Sequence, residues 1–338
     1  MTNVAESYRF PSHMLMGVLS GILDSFYKFP PGHYDQEETL RNILSIKEYL
    51  KGSNSQIEGS FSASTNEFLA LIGSAINLTE IEASRFGTGE KNKPVALLHS
   101  LIKLRGSFGK ALRTRQSDRI RGLYVIIDPQ VTNGRDPLDI ARGAVRGGAR
   151  IIQLRDKLRD KGEIMPLATE LKDLCQDNNV LLIINDHVDM AAALGTDNVG
   201  VHVGQTDLSV ADSRSILHES QLIGRSNREI PLLIESQEMG ADHVAFGAIY
   251  PTTTKPGGIG YRGNQGPDRV KEARSVTNVP LVCIGGINAD NVAPVVEAGA
   301  DAICVAAAIG LADDPEAEAI KLVAVSYTHL TLPTSDLV

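Results

Sequence analysis

Apolar and polar positions along this chain follow two periods, and the change between them falls near residue 117. Before it, apolar residues recur at helical spacing. Asp35 and Glu38 have the spacing of a capping box ahead of Leu40, Ile43, Leu44 and Leu50. Ser64 and Glu67 repeat the device ahead of Phe68, Leu69, Ile72 and Ile76. Further helical patterns cover 14–27 and 94–114, with "GSNSQIEGS" and "GTGEKNKP" as loops. Residues 1–117 are therefore expected to form a small all-helical N-terminal domain; its apolar pattern is self-contained.

From Gly122 onward short β-branched runs alternate with amphipathic stretches. The runs are "LYVIID", "RIIQLRD", "VLLIIND", "VGVHVG", "QLIGRS", "HVAFGAIY", "PLVCIGG" and "DAICVAAAI". Between them lie segments such as "PLDIARGAVRGGA" and "EIMPLATELKDLCQDNN". Strands that are apolar throughout are buried on both faces, as in a parallel sheet covered by helices. Eight of them at short, regular spacing predict an α/β fold, a (β/α)8 TIM barrel over residues 118–324, in preference to a doubly wound open sheet. The last residues, 325–338 ("VSYTHLTLPTSDLV"), fit neither period and read as a non-native or disordered tail.

Composition narrows the function classes. At 338 residues, with 42% hydrophobic and 22% charged positions, the chain has the makeup of a globular protein with a full core. No apolar run is long enough to span a bilayer, and "MTNVAESYRF" lacks the pattern of a secretion signal. Cys175, Cys283 and Cys304 have no metal-ligand spacing, which fits buried thiols in a reducing cytoplasm. A formal net charge of −8 argues against general nucleic-acid affinity, so any anion site must be a local concentration of positive groups. The expectation is a cytoplasmic protein that binds neither nucleic acid nor membrane; a homo-oligomer is compatible with the sequence.

In a barrel of this kind chemistry sits where strands end at their carboxyl side. Strand two ends in Gln153, Arg155, Asp156 and Lys157, and strand three in Asn185, Asp186 and His187. Strand four ends in His202, Gln205 and Asp207, and strand five in Arg225, Ser226 and Asn227. Strand six opens into "GAIYPTTTKPGGIGYRG", which carries Thr252, Thr253, Thr254 and Lys255. Asp186 and Asp207 lie on adjacent strands, where a Mg2+ would offset their repulsion; Mg2+ commonly uses one or two carboxylates plus substrate phosphates. Arg155, Lys157 and Lys255 around such a metal suit a diphosphate. Gly285, Gly286 and the alanines after strand eight occupy the usual phosphate cradle of the fold. His187 and His202 invite a general-base role, but a histidine beside a strand end is more often structural. The pattern favours a diphosphate leaving group stabilised by fixed charge, with a nucleophile supplied by the substrate.

Five motifs in this order, "IQLRDK", "IINDH", "GVHVGQTD", "GAIYPTTTKP" and "CIGGIN", resemble the thiamine phosphate synthase family over about residues 120–324. The resemblance implies a transferase of thiamine biosynthesis that joins hydroxymethylpyrimidine diphosphate to thiazole phosphate, with Mg2+ as cofactor. By motif, Gln153, Arg155, Lys157, Asn185, Ser226 and Lys255 would hold the pyrimidine diphosphate, and Asp186 and Asp207 the Mg2+. Of these, Arg155, Lys157, Ser226 and Lys255 would act in the chemistry. Thr252, Thr254, Gly286 and the backbone at Ala306 and Ala307 would hold the thiazole phosphate. Ala307 stands where the family usually has serine, so one hydroxyl contact is missing. The helical domain lies outside the family core. Its basic stretch, "KLRGSFGKALRTRQSDRIR", reads as a solvated helix face before a linker, and a fragment starting near Ser117 is expected to fold and act. Two rival readings remain open on sequence: a thiazole tautomerase-like barrel, and a non-catalytic sensor of thiazole phosphate.

Overall fold

The computed structural model describes residues 17–20, 22, 40–41, 43–44, 65–83, 92–196, 198–252 and 265–330. They fall in two compact units, Met1–Leu112 and Arg113–Val338. In the first unit the elements are α1 (Thr65–Ala83) and α2 (Asn92–Ser117), which continues into the second unit. Leu97, Leu101, Leu104 and Phe108 recur at helical spacing along α2 and bury a stripe together with Leu69, Ile72 and Ile76 of α1. Helix α1 begins directly after Ser64, where the capping pattern puts its start; Asp35 and Glu38 lie outside the described residues.

In the second unit β1 (Gly122–Ile127), β2 (Ile151–Leu154), β3 (Leu181–Asn185) and β4 (Val199–Val203) run parallel, as do β5 (Ile223–Asn227), β6 (His243–Gly247), β7 (Leu281–Ile284) and β8 (Ala302–Val305). β8 pairs back onto β1, so the sheet is a closed barrel in chain order. The helices that follow the strands are α3 (Pro137–Arg146), α4 (Lys161–Asp177), α5 (Val188–Ala193), α6 (Val210–Ile216), α7 (Ile230–Glu238), α8 (Gly266–Val276), α9 (Ala293–Glu297), α10 (Ala307–Gly310) and α11 (Pro315–Leu330). The (β/α)8 architecture is thus the one the apolar runs predict.

The period of two along each strand separates two cores. Tyr124, Ile151, Ile183, Ala245, Val282 and Cys304 point into the barrel and pack on one another. Val125, Ile152, Leu182, Val244, Cys283 and Ile303 alternate with them and pack outward against the helices.

The N-terminal mouth of the barrel is fastened by a device that occurs twice, each time at the tripeptide Gly-Ala-Asp. Asp242, just before β6, accepts from the Ile223 N–H at 2.8 Å and pairs with Arg214 of α6 at 2.5 Å. Asp301, just before β8, accepts from the Leu281 N–H at 2.8 Å and pairs with Arg274 of α8 at 2.5 Å. Each carboxylate thereby satisfies the first amide of the preceding strand and neutralises the arginine of the helix that leads into it.

Two expectations are corrected here. The basic stretch is not simply a solvated face: Arg113 also pairs with Asp242, at 3.1 Å, and Arg119 donates to Asn198 Oδ1 at 2.6 Å and to Asn179. A chain starting at Ser117 would lack Arg113. The closing helix α11 runs past residue 324 to Leu330, so the helix includes the first residues of the segment read as a tail; 331–338 lie outside the described residues.

Candidate active site

Strand β3 ends in a sharp turn. Asp186 has φ of +62°, a left-handed conformation that Asp tolerates better than most residues. Its N–H donates to the His202 carbonyl of β4 at 2.8 Å, and the His187 N–H returns to the Asn185 carbonyl at 2.7 Å. The turn carries the Asp186 side chain toward the end of β4. There the loop after β4 closes on itself, with Asp207 Oδ2 accepting from the Gly204 N–H at 2.7 Å. The two carboxylates meet. Burial and then the neighbouring Asp186 raise the Asp207 carboxyl above its ordinary value, against the Gly204 N–H and Lys157, which favour its charged form.

Lys157, from the loop after β2, forms an ion pair with Asp186 and stays half exposed. A cavity of about 600 Å³ opens beside these groups, between the loops that follow β2, β3 and β4. Among the described residues no cluster of three or more His, Cys, Asp or Glu side chains could enclose a metal. Two adjoining carboxylates beside a cavity do fit Mg2+, which completes its shell with water and phosphate oxygens. A site for a metal held only by protein side chains would not look like this.

The polar residues toward the barrel axis are held by partners. Gln153 is buried, and its Nε2 donates to the Tyr124 hydroxyl at 2.7 Å. Burial raises the Tyr124 pKa well above 10, so the phenol stays neutral and keeps a proton to donate. Arg155 forms an ion pair with Asp128, which is 3% exposed and sits directly after β1. His202 Nε2 lies 2.8 Å from Ser226 Oγ, which fixes the serine at the end of β5. His202 thus sits at the rim as a partner of Ser226.

Gly224 is required beside that pair. A Cβ there would stand 2.1 Å from His243 Nε2 and 2.6 Å from His202 Nδ1. The two imidazoles lie with ring centroids 5.6 Å apart inside the barrel. His243 is fully buried, and neither ring nitrogen has a hydrogen-bond partner among the described residues. Burial therefore lowers its pKa to about 4 and leaves it neutral at physiological pH.

On the far side of the mouth the loops after β6 and β7 interlock. The Tyr250 N–H donates to the Gly285 carbonyl at 2.9 Å, and the Tyr250 hydroxyl to the Asn291 carbonyl at 3.0 Å. Asn291 in turn donates to the Gly286 carbonyl at 2.9 Å. Gly286 has φ of +67°, and a Cβ on it would come 2.4 Å from the Pro251 carbonyl oxygen. Only glycine lets these loops approach so closely. Thr252 is half buried next to them, and Ala306 and Ala307 open the short helix α10 after β8.

Of the residues picked out from sequence, Lys157, Asp186 and Asp207 come together directly. Gln153, Arg155, Asn185 and Ser226 ring the same mouth from β2, β3 and β5, and Gly286, Ala306 and Ala307 follow β7 and β8. Thr254 and Lys255 lie outside the described residues. Arg225 does not join the convergence, and Asp156 lines the cavity with its carboxylate turned to its own loop. Asp156 accepts from the Leu158 and Arg159 N–H groups and pairs with Arg159 at 2.5 Å; burial opposes its charge, but these partners outweigh it and hold its carboxyl below the ordinary range. Arg225 points out of the barrel toward α7. Sequence reading placed Gln205 at the end of strand four without giving it a role, and missed Tyr124, Asp128 and His243 as supports of the site. Asp128 had a visible signal, a lone carboxylate ending an apolar run; Tyr124 shows itself only through its bond to Gln153, and His243 only through its packing against His202 and Gly224.

Comparison with known proteins agrees with this fold. Residues 123–309 match the family described as thiamine monophosphate synthase. The thiamine-phosphate synthase of Natronomonas pharaonis is 41% identical over 195 residues, covering 58% of this chain and 90% of that protein. That of Thioalkalivibrio sulfidiphilus is 40% identical over 213 residues, covering 62% of this chain and 98% of that protein. Among solved structures, thiamine phosphate pyrophosphorylase from Pyrococcus furiosus superposes with a TM-score of 0.57 at 27% identity, over 64% of this chain and 99% of that one. The matched span takes in every strand and the whole mouth just described, and on that ground the chain belongs to the thiamine monophosphate synthase family.

Proposed function

We propose that this chain is a thiamine phosphate synthase: it couples 4-amino-2-methyl-5-hydroxymethylpyrimidine diphosphate to 4-methyl-5-(2-hydroxyethyl)thiazole phosphate, giving thiamine phosphate and diphosphate. The observation that carries the reading is the meeting of Asp186, Asp207 and Lys157 at the carboxyl rim of a barrel whose span matches that family. A thiazole tautomerase has no diphosphate to neutralise and no use for that cluster. The partners of the site are thus two small molecules.

The reaction is dissociative. The C–O bond to the diphosphate breaks with its electron pair, leaving a pyrimidine carbocation, and the thiazole nitrogen supplies the pair for the new C–N bond. Asp186 and Asp207 would hold Mg2+, which when bound supplies positive charge for the leaving diphosphate. Arg155 and Lys157, joined from the loop after β6 by Lys255, meet the charge that grows on that group as the bond breaks. Arg155 is already oriented by Asp128, so little reorganisation is needed as the charge develops. Gln153, Asn185 and Ser226 orient the pyrimidine, the first by its bond to Tyr124 and the last by its bond to His202. Thr252, Thr254, Gly286 and the amides at Ala306 and Ala307 cradle the thiazole phosphate. Ala307 offers an N–H but no hydroxyl there.

Incubation of the purified protein with both substrates and Mg2+ tests this. Diphosphate and thiamine phosphate should appear in equal amounts. Isomerisation of the thiazole phosphate without diphosphate release, or binding without turnover, would overturn it.

A further inference from the structure

Gln205 is solvent-exposed, yet its amide is held on both sides. Its Oε1 accepts from Arg225 at 3.0 Å. Its Nε2 donates to the main-chain carbonyl of Ser226 at 2.6 Å and to Asn227 Oδ1 at 3.3 Å. The orientation of the amide is not arbitrary. A guanidinium only donates and a carbonyl only accepts, so a flipped amide would lose its bonds on both sides. Arg225 is itself anchored: its side chain is 9% exposed and reaches Met239 Sδ at 3.0 Å and Ser236 Oγ at 3.4 Å on the α7 side. Ser236 in turn donates to Asn227 Oδ1 at 2.6 Å. This network joins β5, the loop after β4 and the α7 segment in one piece.

Gln205 belongs to the loop that Asp207 closes on Gly204, and Ser226 is the serine that His202 holds. The geometry points to a role for Gln205 as a positioning residue. Clamped by Arg225, it ties the loop that carries Asp207 to the end of β5, so that the metal carboxylate and the pyrimidine-binding serine keep one separation. This inference rests on the assignment of Asp207 to the metal and of Ser226 to the pyrimidine diphosphate. A pyrimidine diphosphate held by the metal at its phosphate end and by Ser226 at its pyrimidine end would span that separation, so a loosened clamp would weaken both ends together while leaving the fold intact. The thiazole phosphate cradle lies on the opposite side of the mouth, after β6, β7 and β8, and is untouched by the clamp.

The test uses the full chain, inorganic diphosphate and Mn2+ in place of Mg2+, with free Mn2+ read by electron paramagnetic resonance. Gln205→Leu keeps the size of the side chain and removes both bonds. It should weaken Mn2+ binding in the presence of diphosphate about tenfold, as outer supports of metal ligands do. The KM for the pyrimidine diphosphate should rise by a similar factor, with the KM for thiazole phosphate unchanged. Arg225→Met should shift Mn2+ binding in the same direction, and the double variant should be no worse than the poorer single one, because both act through one clamp. Wild-type Mn2+ affinity in Gln205→Leu, a change confined to melting temperature, or equal rises in both KM values would each overturn the clamp. Gln205 is exposed, so Gln205→Leu should fold and answers the question without Arg225→Met. Failure of the wild type to couple the substrates would refute the functional reading, while the Mn2+ titration with inorganic diphosphate would still decide the clamp.

Discussion

At the N-terminal mouth of the barrel Asp242 is enclosed by Arg113, Arg214 and a strand amide, with its side chain and both arginines largely buried. At the opposite rim Asp186 and Asp207 lie against each other with Lys157 beside them, next to a cavity of about 600 Å³. Both ends bring carboxylates and cations together, guanidinium groups at one and an ammonium at the other. The difference lies in the balance: Asp242 and its neighbour Glu219, with two guanidinium groups and a strand amide between them, are saturated, whereas two carboxylates with one half-exposed ammonium keep oxygen atoms available for a cation. The saturated end leaves no free valence for a ligand and serves the fold. The unsaturated end carries uncompensated negative charge that a metal and its phosphate can complete, and part of the fold's stability is given up to keep it so.

The largest way to sharpen the contrast is Asp207→Asn. It should lower diphosphate release at saturating Mg2+ by on the order of 10³-fold, since it removes a charge needed as the leaving group departs. The melting temperature should stay the same or rise, because the folded state raises the Asp207 carboxyl and so disfavours its charged form. A stability loss with near-normal turnover would reverse the roles assigned to the two ends. Asp242→Asn should do the opposite, costing about 3 kcal/mol by denaturant titration as the largely buried Arg214 loses its paired carboxylate and Arg113 the nearer of its two, with kcat unchanged at temperatures where the protein is folded. A fragment beginning at Ser117 lacks Arg113 and should show part of that loss, whereas one beginning at Lys110 should not.

Lys255→Ala comes next: kcat should fall by about 10²-fold with little change in stability, as for other lost electrostatic contacts to a developing charge. Thr252→Val should instead raise only the KM for thiazole phosphate. Steady-state assays varying each substrate separate these outcomes, and wild-type behaviour of both variants would show that the loop is only a turn.

The smallest effect concerns acid stability. His243 has a folded pKa of about 4 against an ordinary 6.5, so its neutral form is favoured by folding. Its contribution is complete above about pH 6.5 and is lost as pH falls toward 4, because the unfolded chain takes up a proton that the folded chain refuses. The slope is about 1.4 kcal/mol per pH unit. His243→Leu should flatten the fall of the urea midpoint between pH 6 and 5, and an unchanged pH profile would refute the assignment.

Eight continuously apolar runs and the amphipathic stretches between them were enough to read the barrel, because burial on both faces leaves a parallel strand no polar alternation. Residues at strand ends were readable for the same reason: position relative to a strand fixes which mouth they face, and Asp186, Asp207 and Lys157 meet where adjacency of β2, β3 and β4 puts them. Arg225 was misplaced because a strand-end residue one step out of phase points away from the axis. The basic run that overlaps and continues α2's apolar stripe was misread because charge spacing cannot say whether a partner waits across space, and Asp242 lies far along the chain from Arg113.

By itself, the sequence determined the fold class, the end of the barrel where chemistry occurs and the charge type of its ligand, since these depend on local period and on residue identity at fixed offsets. The tertiary structure alone decided how many partners each carboxylate has. It set Asp242 between two arginines, Asp128 on Arg155, and Gln205 between Arg225 and Ser226. Those outcomes turn on distances of a few ångströms between residues remote in the chain, which closure of the barrel imposes and no local pattern encodes.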